Sequence, residues 1–134
     1  MNLYAMLRYP GMNSSRTQRL TARMRELLAS TPEIEGAAIV SPDGLMIASV
    51  LAPPADEDRV AAMSAAMVSL GERIAKELGR GVMQQVYVKG GEGFVLLTAA
   101  GPQAMLTIIA RGEAKLGLLL LELRNAVADL QELL

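Results

Sequence analysis

The chain has 134 residues, 51% hydrophobic and 20% charged, with a formal net charge of −1 and neither cysteine nor histidine. One domain of this length buries roughly two thirds of its unfolded surface, and this balance of apolar to charged residues is that of a folded chain, not a disordered tail. The missing residue types exclude disulfides and thiolate metal sites, and remove the usual general base near neutral pH, the Ser-His nucleophile pair and the commonest nitrogen ligand for metals.

The charges are scattered, with no cationic stripe to displace counterions from phosphates, so nucleic acid is not an expected partner. No apolar run approaches the ~20 residues that span a bilayer. Leu116–Leu121 is interrupted by Gly117 and followed by Glu122 and Arg124, and residues 1–7 are too short for a signal peptide. A cytoplasmic protein without membrane insertion, metal or cofactor is expected.

Residues 1–13 read as an N-terminal extension, either an ordered arm or a frayed end, closed by the Pro10-Gly11 turn signal. The domain proper is expected over residues 14–134. Ser15 and Gln18 match a capping box. Leu20, Met24, Leu27 and Leu28 follow at helical spacing, with Arg16, Arg19, Arg23, Arg25 and Glu26 left for solvent, and Pro32 ends this helix.

Two apolar runs, Ala37–Val40 and Leu45–Ala48, flank Ser41, Pro42, Asp43 and Gly44. Proline presets φ, aspartate bonds its local backbone and glycine accepts a positive φ, so the chain reverses here in a β-hairpin. Neither arm alternates cleanly, which predicts cover on both faces.

After Pro53-Pro54, Asp56 is a good helix N-cap, with Glu57 and Asp58 suited to the helix dipole. The helix runs to about Leu78, with Gly79 and Gly81 as stop signals. Its bulky stripe, Val60, Met63, Met67, Leu70, Ile74 and Leu78, is expected on the sheet. Its small stripe, Ala61, Ala62, Ala65, Ala66, Ser69 and Arg73, is expected to receive another helix at close range.

Three strands follow, Met83–Lys89, Phe94–Ala99 and Ala104–Ala110, joined by the Gly90-Gly91-Glu92-Gly93 turn and by Gly101-Pro102. The glycine-rich turn lacks the Lys and Ser/Thr of a phosphate-binding loop and leads into a strand, not a helix. Gln84, Gln85, Val86, Tyr87, Val88 and Lys89 are polar enough for a sheet edge, and pairing of that edge with a second copy would bury it together with the small helix stripe. A final helix over Glu113–Leu134 places Leu116, Leu119 or Leu120, Leu123, Val127, Leu130 and Leu134 on one face. Gly117 costs about 1 kcal/mol there, which predicts a close approach to the sheet or to the first helix.

The element order is helix, strand, strand, helix, three strands, helix. This order, with Glu33-Ile34-Glu35-Gly36-Ala37-Ala38-Ile39-Val40, Asp43-Gly44-Leu45-Met46-Ile47-Ala48-Ser49, Ser69-Leu70-Gly71-Glu72-Arg73-Ile74, Gln85-Val86-Tyr87-Val88 and Leu116-Gly117-Leu118, resembles the Roadblock/LC7 domain family from about Thr17 onward. The resemblance implies a profilin-like α+β fold: a five-stranded antiparallel sheet with one helix on one face and two on the other.

It also implies a homodimer joined by the third strand and the central helix, through Ala62, Ala65, Ala66, Ser69, Gln84, Gln85, Val86, Tyr87 and Val88. Bacterial single-domain members, the MglB-like proteins, bind a small Ras-like GTPase and regulate its hydrolysis. Such a role here would be non-enzymatic, with Arg59, Met63, Glu72 and Arg73 as candidate partner-binding residues. An interaction scaffold without effect on nucleotide turnover is the alternative. A small-molecule sensor comes third, since one Phe and no Trp or His offer few anchors for a ligand.

Overall fold

A computed structural model describes the backbone of residues 3–134 and the side chains of residues 16–134. The elements are α1 (Leu3–Ser30), β1 (Ile34–Val40), β2 (Met46–Val50), α2 (Glu57–Glu77), β3 (Gln85–Gly90), β4 (Gly93–Ala99), β5 (Met105–Arg111) and α3 (Leu116–Leu133). The five strands form one antiparallel sheet in the order β2-β1-β5-β4-β3, with α1 and α3 on one face and α2 on the other. The expected αββαβββα architecture is the one observed.

α1 begins at Leu3, well before the Ser15 capping box, and runs through Pro10-Gly11. A capping box satisfies donors at a helix start but does not stop a helix already formed upstream. The side chains of the extension, residues 1–13, lie outside the described residues.

β1 is central, and its unbroken apolar run has the predicted cause. Ala37 and Ile39 face the α1/α3 layer, Ala38 and Val40 face the α2 layer, and all four are wholly buried. The first layer holds the larger core: Leu20, Met24 and Leu27 from α1 and Leu119, Leu123, Ala126 and Leu130 from α3 pack on Phe94, Leu96, Leu106 and Ile108. The Arg23 guanidinium, only 20% exposed, donates to Asp129 at 2.7 Å and ties α1 to α3.

Two expectations are corrected. Gly117 makes no close approach: nothing lies within 4 Å of where its Cβ would stand, and the residue is exposed. The two stripes of α2 are also not divided between sheet and surface as expected: Val60 of the bulky stripe packs on the sheet and Met67 is half-buried, while Ala62, Ala66, Ser69 and Arg73 of the small stripe are exposed. Small residues, with Ala61 and Ser64 buried and Ala65, Val68 and Gly71 half-buried, rest on the sheet, whereas Met63, Leu70, Ile74 and Leu78 are 60%, 50%, 50% and 64% exposed.

Close approach is the physical reason that Met63, Leu70, Ile74 and Leu78 do not lie on the sheet. A Cβ on Gly44, at φ +84°, would stand 3.5 Å from the Ala65 Cβ and 3.6 Å from the Ala62 Cα, and a Cβ on Gly71 would stand 2.6 Å from the Met83 sulfur and 2.9 Å from a Val86 methyl. A helix with Leu or Met along that line would have to ride further from the sheet. Polar contacts complete the seat. Asp56 caps α2 by accepting from the Arg59 amide at 3.0 Å, and the buried Thr107 hydroxyl donates to Ser64 Oγ at 2.9 Å.

Candidate protein-interaction surface

The outward face of α2 follows from helical spacing. Arg59, Ala62, Met63, Ala66, Leu70, Arg73 and Ile74 recur every three or four residues opposite the line of buried Ala61 and Ser64 and half-buried Val68, and all seven are exposed. Beyond its C-cap the helix continues into Gly79 and Gly81, both at positive φ, with Leu78 and Val82 exposed beside them. A helix apolar on the side away from its own sheet has an unused surface.

Next to this helix runs a free sheet edge. β3 pairs with β4 from Gln85↔Thr98 to Gly90↔Gly93 without a register shift. Since Gly90 and Gly93 close the two-residue turn as a hydrogen-bonded pair, Val86 and Val88 bond to β4 and the backbone groups of Gln85, Tyr87 and Lys89 point outward. The opposite edge differs. β2 meets β1 through a register shift between Ile39 and Val40, and Pro53-Pro54 follows it closely, features that blunt an edge.

Of the residues expected at a dimer interface, Ala62, Ala66 and Ser69 are exposed on α2, and Gln84, Gln85, Tyr87 and Val88 are exposed on or beside β3. Ala65 and Val86 are half-buried, Ala65 against Gly44 and Val86 against Gly71. Of the residues expected to touch a partner, Arg59, Met63 and Arg73 share the outward face. Glu72 does not: it lines a cavity of about 310 Å³ with Ala65, Ser69, Val82, Met83 and Pro102 on the flank of the helix.

The sequence reasoning missed Leu70, Ile74, Leu78 and Val82 as surface residues. The signal that would have found them is the regular run of small residues Ala61, Ser64, Ala65, Gly71 and Ala75, which marks the line of closest approach. Among the described residues no group of three or more acidic side chains could hold a metal ion, and no helix is long and apolar enough to cross a membrane. The surface is suited to holding another macromolecule by burial of apolar area and by backbone pairing.

Comparison with known proteins agrees with this fold. Residues 11–110 match the model of the Roadblock/LC7 domain. The chain is 33% identical over 104 residues to the uncharacterized protein MJ1340 of Methanocaldococcus jannaschii, covering 78% of this chain and 90% of that one. Among solved structures, a Roadblock/LC7 domain from Streptomyces avermitilis superposes with a TM-score of 0.78 at 26% identity, covering 84% of this chain and 94% of that one. MglB of Myxococcus xanthus superposes with a TM-score of 0.79 at 20% identity, covering 87% of each chain. With the order of its elements, the topology of its sheet and a family match over most of its length, the chain belongs to the Roadblock/LC7 domain family.

Proposed function

We propose that the protein is a homodimeric regulator, without an active site of its own, that binds a small Ras-like GTPase in the cytoplasm and changes its GTP hydrolysis or switching. The observation that carries this reading is the exposed apolar line Met63, Leu70 and Ile74 beside the unblunted β3 edge. Family membership and the similarity in fold to MglB support the choice of partner.

The outward backbone groups of Gln85, Tyr87 and Lys89 are symmetric about Tyr87. A second copy pairing antiparallel with all three therefore places the twofold axis at Tyr87, with five strands from each copy in one sheet. Both α2 helices then lie on the same face, meeting near Ala62, Ala66 and Ser69, and present Arg59, Met63 and Arg73 to the partner. Such a face shifts a GTPase between states only as far as it binds one better than the other.

The purified protein is used as bait in lysate of the source cells, with a non-hydrolysable GTP analogue or GDP present. The expected result is preferential retention of a small GTPase with the analogue, and a changed hydrolysis rate when that GTPase is purified and mixed with the protein. Retention with hydrolysis and exchange unchanged selects the scaffold. Absence of a GTPase in both nucleotide states overturns the regulator reading.

A further inference from the structure

Methionine carries all the sulfur of this chain: there are nine, and no cysteine stands ready to meet an oxidant first. The side chains of Met24, Met46, Met63, Met67, Met83 and Met105 are described, and all but one are shielded. Met24 and Met105 are 0% and 5% exposed, one in each core layer. Met46 packs against the second layer, Met67 is half-buried on α2, and the Met83 sulfur is held against that helix at Gly71. Met63 alone among them faces water, at 60% exposure.

Oxidation of a thioether follows the exposure of its sulfur. As the O–O bond of hydrogen peroxide breaks, one oxygen bonds to the Met63 sulfur and the other leaves as water. The sulfur gives up two electrons and the peroxide accepts them. The step asks only for access, so it needs neither a thiolate nor a histidine.

The oxygen arrives at a sensitive place. Met63 lies on the outward line with Leu70 and Ile74, one turn after Arg59. Residues four apart on a helix stand about 5–6 Å from each other at Cβ, so the sulfoxide oxygen, a hydrogen-bond acceptor, is within reach of the Arg59 guanidinium, which is in no ion pair among the described residues. One atom thus alters two of the three expected partner-binding residues on this face: Met63 becomes polar and Arg59 is engaged by its own helix. Covering the sulfoxide with an apolar surface then strands a strong acceptor, a cost the thioether does not carry. Neither core layer is touched, because Met63 belongs to neither.

We propose that Met63 is a modification site, at which oxidation by a peroxide releases the protein partner from the α2 face while the fold stays intact. This rests on the reading of that face as the GTPase surface and adds an oxidant as its regulator. The selectivity of the oxidation is a property of the chain by itself.

The test uses the full chain and graded hydrogen peroxide, with oxygen uptake at each methionine followed by peptide fragmentation in a mass spectrometer. Met63 should be oxidised at least about tenfold faster than Met24, Met46, Met83 and Met105, with no change in the thermal midpoint. Capture of the GTPase by protein oxidised at Met63 should fall about tenfold or more. The ratio of capture with and without peroxide is then read within each variant. In Met63→Leu, which has no sulfur at this position and keeps every other methionine, that ratio should stay near one whatever the starting level. Met63→Gln, with a polar amide in place of the thioether, should capture weakly before any peroxide is added.

Oxidation of Met63 no faster than that of the half-buried methionines, capture unaltered by it, or an equal loss of capture in peroxide-treated Met63→Leu overturns the switch and leaves the regulator reading standing. A thermal midpoint that falls in step with capture means damage to the fold and also overturns the switch. Absence of a GTPase from the untreated protein in both nucleotide states removes the two readings together.

Discussion

The Thr107 hydroxyl donates to the Ser64 hydroxyl across 2.9 Å in the layer between α2 and β5, where both residues are buried among alanines and methionine. This contact fixes which side of α2 lies down, because rotating the helix would leave the Thr107 hydroxyl buried without a partner. Thr107→Val strands the Ser64 hydroxyl and should cost about 1–3 kcal/mol in urea unfolding. Ser64→Ala combined with Thr107→Val should cost less than the sum of the single changes, as a double-mutant cycle measures. Additivity within about 0.3 kcal/mol would mean that the two hydroxyls act independently.

Two glycines in the helices make opposite predictions. Gly117→Ala should stabilise the protein by up to about 1 kcal/mol, since the added methyl meets nothing and helix propensity alone changes. Gly71→Ala should destabilise it, because Val86 and Met83 stand within 3.0 Å of the new carbon. Thermal unfolding of the two variants is the comparison, and a rise in midpoint for Gly71→Ala would refute the close seating of α2.

The exposed line on α2 separates stability from assembly. Leu70→Glu and Ile74→Glu alter half-exposed residues on the outward side, so unfolding stability of an isolated chain should shift by no more than about 0.5 kcal/mol. Mass by light scattering should remain that of the dimer, and capture of the GTPase should be lost. A variant that stays dimeric and still retains the GTPase would show that this face is not used.

Asp56 makes a simpler prediction. Its carboxylate accepts from the Arg59 amide at the first turn of α2, and Asp56→Ala should cost about 1 kcal/mol, whereas Asp56→Asn should recover most of that. Chemical denaturation distinguishes the two; equal losses would mean that charge and not the cap hydrogen bond matters.

Much of the fold was legible because local chemistry and burial agree. The unbroken run Ala37–Val40 required cover on both faces and received it, the Asp56 cap and the Pro32 stop fall at helix ends, and Leu20, Met24, Leu27, Leu123 and Leu130 occupy the core at the predicted spacing. The candidate surface was legible in part. β3 was expected at an edge and is at one, and Arg59, Met63 and Arg73 share a face; Glu72 sits apart on the helix flank.

α2 shows where periodicity stops. Two stripes at helical spacing were evident in the sequence, and a hydrophobicity scale assigns the bulkier one to the core. Separation decides otherwise for Met63, Leu70, Ile74 and Leu78: a Cβ on Gly44 would already touch Ala62 and Ala65, and one on Gly71 would clash with Val86 and Met83. The sequence by itself determined the elements, their order, their caps and the buried central strand, because propensity, turn chemistry and apolar period act over a few residues. The tertiary structure alone decided which side of α2 faces water, because that depends on how closely elements far apart in the chain approach one another.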